Sequence, residues 1–309
     1  MRKMKSIHLS HQLEVRHIIK GRSIRSSFLL LLVILSLGCG RANHKEPMDL
    51  FDKNNLIAWC IVPFDAAERT PEERAAMLDE LGISRFAYDY RDQHIASFGE
   101  EIGVLRKHGI ELSAVWLWLE PSGDTLLNPS CRAILRILEE TSVHTDLWVS
   151  FPPQFFENMP EEEKISRGVD AIEEVLEWAG AHGCTISLYN HGDWFGEPEN
   201  QIRIIRAIGS DKVRMVYNFH HGHHQIERFE PMFREMLPYL SAVNINGMKV
   251  EGPKIITVGE GDRELQMLRI IKESGYRGPI GIIGHTEGED IRVVLQRNLE
   301  GLERLKARL

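Results

Sequence analysis

The residues best suited to chemistry crowd into four short segments of the second half of the chain. They are Tyr189-Asn190-His191-Gly192-Asp193-Trp194, Tyr217-Asn218-Phe219-His220-His221-Gly222-His223-His224, Asn244-Ile245-Asn246-Gly247-Met248-Lys249 and His285-Thr286-Glu287. Six of the 14 histidines lie there, and a seventh, His94, closes Tyr88-Asp89-Tyr90-Arg91-Asp92-Gln93-His94. An imidazole changes charge near neutral pH and ligates metals, so this crowding points to proton transfer or metal binding. Taken alone, His94, His223 and His224 read as hydrogen-bonded loop side chains. His191, His220 and His285 stand nearest the ends of apolar runs and are the candidates for acid–base chemistry or metal ligation. Lys249 and Arg91 are candidate cationic partners for an enolate or oxyanion. Glu120, in Trp116-Leu117-Trp118-Leu119-Glu120-Pro121, is a candidate base, its alternative being an exposed acid that ends a strand. Tyr189, Asn190, Asn218, His221, Asn244, Asn246, Trp118 and Trp194 are candidate substrate contacts, the indoles as stacking faces for a sugar. Glu260 and Asp262 read as caps of the helix that follows them.

These segments each follow a short β-rich run, and such runs alternate with stretches of helical period. The pattern predicts strands over 56–62, 85–88, 111–118, 145–150, 185–189, 213–217, 242–245 and 280–283. Thr70-Pro71-Glu72-Glu73 and Pro160-Glu161-Glu162-Glu163 start helices with a proline or acids in the first turn. Leu81-Gly82, His108-Gly109, His182-Gly183 and Ser274-Gly275 end helices with a glycine, and a strand follows at once. Single helices between strands imply right-handed parallel crossovers, and eight such units over about 250 residues predict one closed (β/α)8 barrel. A doubly wound open sheet is the alternative, and no GxGxxG follows the first strand. In a barrel the strand ends share one face, where the four segments would meet.

The net charge of −8 and a pI of about 6.0 exclude binding to nucleic acid through a basic face. Positive charge is instead gathered at the start, in Arg2, Lys3, Lys5, Arg16, Lys20, Arg22 and Arg25 against the one acid Glu14. The apolar run Phe28 to Leu37 is too short to span a membrane comfortably and fits the core of a signal peptide. With Gly38-Cys39 after it, the segment resembles a bacterial lipoprotein signal, although Ser36 stands where leucine is usual. The resemblance implies cleavage, acylation of Cys39 and a protein of the periplasm or cell envelope that meets the membrane only through its anchor. Residues 1–39 are then the signal, 40–54 a polar tether and 55–309 the barrel. Cys60, Cys131 and Cys184 are odd in number and lack CxxC spacing, so they read as buried free thiols.

The order of the strand-end segments resembles the xylose isomerase-like barrel superfamily of sugar isomerases and epimerases. The likeness spans nearly the whole mature chain. Its most specific parts are Leu188-Tyr189-Asn190-His191-Gly192, Gly196-Glu197-Pro198-Glu199-Asn200 and Val216-Tyr217-Asn218-Phe219-His220-His221. That superfamily implies a divalent-metal site built from carboxylates and histidine at strands five to eight. Here Tyr189 stands at the first Glu, Asn218 at the Asp, Asn244 at the His and His285 near the last Glu. Amides and a phenol are poor ligands for a hard cation. Two outcomes stay open. The histidines rebuild a nitrogen-rich site for one divalent metal, zinc, manganese or similar; or they work as metal-free acid and base.

The expected function is an isomerase, epimerase or keto-sugar lyase that removes a proton beside a carbonyl of an unphosphorylated sugar. The rival is a sugar-binding lipoprotein that has kept the barrel and lost catalysis. An abasic-site endonuclease is opposed by export, acidity and the missing carboxylates.

Overall fold

Residues 49–122 and 125–309 are described by the computed structural model. The signal segment, Cys39 and the first part of the tether lie outside them. Eight parallel strands close into a barrel in chain order: β1 Leu56–Trp59, β2 Arg85–Tyr88, β3 Glu111–Trp118, β4 Asp146–Ser150, β5 Thr185–Tyr189, β6 Val213–Asn218, β7 Leu240–Ile245 and β8 Ile280–Ile283. The seam is β1 on β8, from Leu56 opposite Ile280 to Trp59 opposite Ile283. This is the (β/α)8 fold that the alternation predicts.

The helix starts and stops act locally as expected. Thr70 caps Pro71–Leu81, its side chain and that of Glu73 bonding each other's backbone N–H, and Gly82 ends the helix in the left-handed region at φ 70°. β2, β3, β5 and β8 have the predicted bounds. β1 stops at Trp59 instead of Val62 because Cys60 takes φ 58°, a conformation no strand can hold, and the chain turns out of the ladder. Such a conformation in a non-glycine residue costs about 1–3 kcal/mol and must be held by its surroundings. The tether also ends early. Leu50 and Phe51 are buried in the core, and Asn55 Nδ2 donates to Leu50 O at 2.8 Å and Gly278 O at 3.0 Å. Residues 50–54 therefore belong to the barrel.

The barrel interior holds Ile57, Trp59, Cys60, Ala87, Ala114, Trp148, Tyr189, Val216, Ala242 and Ile283 in one apolar cluster. Three alanines leave the space into which two indoles and a phenol fit at close-packed density. Trp59 meets Trp148 edge to face at a centroid distance of 4.9 Å and Tyr189 at 5.7 Å. At the opposite, N-terminal end, the half-buried Asp146 accepts from Ser187 Oγ at 2.6 Å, Thr185 Oγ1 at 2.9 Å and Trp148 Nε1 at 3.0 Å. Polar bonds thus close the lower end, and aromatic rings support the upper one.

Outside the sheet, helices Pro71–Leu81 and Phe98–His108 share a buried ion pair between Arg74 Nη1 and Glu101 Oε2, both side chains 5% exposed or less. Arg74 also donates to Arg69 O at 2.7 Å. Removing one partner leaves a buried charge uncompensated, which costs about 3–5 kcal/mol, whereas replacing both costs far less. Arg74→Met is expected to lower the unfolding free energy in urea by about that amount, and the double variant Arg74→Met/Glu101→Leu to recover most of it.

Candidate active site

The strand ends of one barrel face enclose two adjoining chambers. The inner one, about 110 Å³, is lined by Trp59, Cys60, Phe64, Asp89, Arg91, Trp116, Tyr189, His191, His220, His221 and His285. Its floor is the aromatic layer of the barrel interior. Trp59 Nε1 donates to Tyr189 Oη at 3.2 Å, which fixes both rings. The outer chamber, about 850 Å³, is bounded by Tyr90, Trp116, Trp118, Glu120, Asn128 and their neighbours. Arg91, Trp116 and His191 line both.

His191, His220 and His285 are brought together, as the reading from sequence requires, and His221 joins them. His220 and His221 lie 3.8 Å apart between ring centroids, His191 and His221 4.6 Å, and His220 and His285 6.0 Å. Phe64 packs on His285 at 3.8 Å, with the Arg91 guanidinium 5.5 Å from the same phenyl ring. Trp118 meets His191 edge to face at 5.1 Å. Burial, reinforced by the neighbouring imidazoles and Lys254, pushes His220 down to about 3 and holds His221 lower still. Burial also lowers His191 and His285. All four rings are therefore neutral at pH 7, each with one N–H donor and one acceptor. The Nδ1 atoms of His191 and His220 have no partner among the described residues.

Asp89, the residue after β2, is the site's one buried carboxyl. It is 3% exposed, and its Oδ1 accepts only a long bond of 3.4 Å from Val62 N, while Oδ2 has no partner. Burial pushes it up to about 7, with Arg91 acting in the opposite direction. Burial likewise keeps the Cys60 thiol and the Tyr189 phenol protonated. In this loop the sequence points to Arg91 as a site residue and to His94 as a hydrogen-bonded loop side chain, and it gives Asp89 no role. The available signal was an acid set directly behind the apolar run Phe86-Ala87-Tyr88 with a tyrosine on either side.

Several other candidates are placed elsewhere. Asn190, Asn218 and Asn244 do not face the chambers; they bond one another inside the wall. Asn190 Oδ1 accepts from Asn218 N at 2.8 Å and Asn218 Nδ2 at 3.1 Å, Asn190 Nδ2 donates to Asn218 O at 3.1 Å, and Asn244 Nδ2 donates to Asn218 Oδ1 at 2.8 Å. Gly281 on β8 makes room for this ladder, since a Cβ there would stand 1.7 Å from Asn244 Oδ1. Asn246 is spent on Gly247 O and Lys254 O, both at 2.8 Å. Lys249 is no partner for an oxyanion, because it pairs with Asp262 at 3.0 Å outside both chambers. Trp194 turns outward to Glu161 at 3.0 Å. Glu120 is exposed at the rim of the outer chamber and touches no histidine of the inner one. Neither Glu260 nor Asp262 caps the helix Glu264–Glu273; its first residue, Glu264, takes up the N–H of Gly259 at 2.7 Å and of Gly261.

The donor set does not fit the family's metal. The positions of its carboxylates and strand-seven histidine hold a phenol bonded to an indole, two amides that bond each other in the ladder and, near the last carboxylate, the His285 imidazole. Among the described residues no three His, Cys, Asp or Glu side chains converge as metal ligands.

The family model described as the xylose isomerase-like TIM barrel matches residues 48–305. The chain belongs to this family. Among solved structures, this family member is similar to the 3-keto-D-glucoside 4-epimerase YcjR of E. coli, at 15% identity and a TM-score of 0.62, covering 82% of this chain and 99% of that one. It is similar to a D-psicose 3-epimerase of Clostridium cellulolyticum H10 solved with D-tagatose, at 16% identity, TM-score 0.58 and coverages of 82% and 98%. It is similar as well to the IOLI protein with a bound zinc atom, at 14% identity, TM-score 0.63 and coverages of 82% and 97%. At these identities the likeness is one of fold. No curated protein matches the sequence.

The ladder and the chamber separate under mutation. Asn218→Ala strips partners from two buried amides and is expected to lower the unfolding free energy by about 2–4 kcal/mol. A substrate contact would behave oppositely, losing sugar affinity at unchanged stability in paired urea and calorimetric titrations.

Proposed function

We propose that this protein is a sugar epimerase or isomerase that moves a proton beside a carbonyl, with Asp89 as the proton carrier. The observation that carries the reading is a buried carboxyl with one unpartnered oxygen, titrating near neutrality, in a chamber of neutral imidazoles and one guanidinium. A base is most effective when its pKa lies near the working pH, and perturbed carboxyls gather at functional sites. The solved relatives named above include sugar epimerases, which supports the substrate class.

In this reading the substrate carbonyl oxygen sits among imidazole N–H groups and Arg91. The Asp89 carboxylate takes the proton from the neighbouring carbon, and the C–H electron pair moves through the carbon–carbon bond to the oxygen, giving an enediolate. Neutral imidazoles and the guanidinium stabilise that charge. For isomerisation the carboxyl returns its proton to the neighbouring carbon on the same face while the hydroxyl proton passes between the two oxygens; for epimerisation the new C–H proton arrives on the opposite face from a water molecule held by the imidazoles, and the carboxyl releases the proton it took to solvent. Cys60 and Tyr189 hold their protons and serve as walls. Among the described residues Arg91 is the only Lys or Arg lining either chamber, beside Asp92 and Glu120 in the outer one, which suits an unphosphorylated sugar better than a sugar phosphate. Because the donor set does not assemble a metal site, no step is assigned to one.

The export reading fits the same substrate class, since sugar phosphates are largely cytoplasmic. Cys39 is then the acylated residue, and an alkyne-fatty-acid label should enter the full chain in a bacterial host and be lost in Cys39→Ser.

The decisive experiment is proton exchange in deuterated water with a panel of unphosphorylated keto sugars. Label should enter beside the carbonyl, and Asp89→Asn should slow entry at least about 100-fold. The base must be ionised, so kcat/KM should rise as pH passes about 7 and level off above it. Exchange should survive dialysis against a chelator; loss that zinc or manganese restores would return the histidines to metal ligation. Sugar affinity without exchange favours the second reading, a sugar-binding protein, which the replaced metal carboxylates support.

A further inference from the structure

The two chambers differ in size and in lining in a way one sugar ring does not use. The inner chamber, about 110 Å³, is well below the roughly 300 Å³ at which ligand-enclosing clefts begin, whereas the outer, about 850 Å³, is near the top of that range. The shifted imidazoles and the Asp89 carboxyl face the inner space, whereas the one shifted group that lines only the outer space is the Tyr90 phenol, raised by burial. The outer space has Tyr90, Trp116 and Trp118 with Gln93, Asn128 and Glu120 around them.

That is the composition of a saccharide-binding surface: aromatic faces for the C–H face of a pyranose and polar ends for its hydroxyl rim. Trp116 is anchored there by its Nε1 bond to Ser150 Oγ at 3.0 Å, and it packs against Trp118 at 5.6 Å. Arg91 in the outer chamber stands with Asp92 and Glu120, so the surface has no excess positive charge to call for an anionic group. Continuity comes from Arg91, Trp116 and His191, which line both spaces and set the passage between them.

We propose that the substrate is a glycoside of at least two units, its reacting edge in the inner chamber and its second unit stacked on Trp118 in the outer one. The proposal rests on the proton-transfer reading only for which end reacts. A free monosaccharide with its reacting edge in the inner chamber leaves most of the outer one to water.

The test is calorimetric titration of the intact protein with D-glucose and with maltose, cellobiose, laminaribiose and sophorose. At least one disaccharide should bind tenfold or more tighter than D-glucose. Trp118→Ala should collapse that ratio toward one, and Trp118→Phe should keep most of it, which separates stacking from a general loss of fold. Equal affinity for the monosaccharide and all four disaccharides overturns the proposal. So does a Trp118→Ala variant that keeps the ratio, or failure of every sugar to bind. Asp89→Asn in the same titration keeps the two claims apart: a length preference that persists while wild-type exchange is absent sinks the catalytic reading and leaves the two-unit site standing.

Discussion

Fitting two indoles inside an eight-stranded barrel is the constraint on which the site depends. Trp59 and Trp148 fill the interior because Ala87, Ala114 and Ala242 leave space for them, and Tyr189 is bonded to one of the rings. The layer is a dry base beneath the strand ends. A polar group seated on it loses much of its hydration, and ionised forms lose most. The same desolvation keeps four imidazoles uncharged and brings one carboxyl to the edge of ionisation at neutral pH. Chemistry at the mouth is thus set by packing below it.

Much of the architecture was legible in the sequence, because hydrophobic period, capping residues and glycine at helix ends are local signals. The strands over 85–88, 111–118, 185–189 and 280–283 were readable to the residue. The convergence of His191, His220 and His285 was readable too, since parallel strands place their C-terminal ends on one face. Partner choice was not. Asn190, Asn218 and Asn244 look like ligands when read singly, and only the alignment of β5, β6 and β7 side by side lets each amide satisfy the next. Lys249 and Trp194 were lost as site residues for a similar reason: loop paths, which no period encodes, delivered them to Asp262 and Glu161. Asp89 was missed because a single acid after a strand is indistinguishable from a solvated one until its burial is known.

Family membership and site chemistry diverge here. The barrel and the order of its strand-end segments follow the xylose isomerase-like pattern, yet of the positions that would grip a hard cation two are amides inside the wall and two hold a phenol and an imidazole. The amides of the ladder bond one another, with Asn244 Oδ1 alone among their polar atoms left without a partner among the described residues and Gly281 cleared to accommodate it. Carboxylates stacked as these amides are would repel one another unless a cation lay among them; amides, being both donors and acceptors, need none. What the strand ends present instead is a carboxyl just after β2 in one chamber with imidazoles from the loops after β5, β6 and β8.

The network around Asp146 has a further meaning. Ser187, Thr185 and the Trp148 indole tie that carboxylate into a plug, and the ring layer lies above it. The barrel is therefore a blind tube. Any guest must back out by the door it used, so whatever part of it fills the vestibule has to depart before, or together with, the part deeper inside.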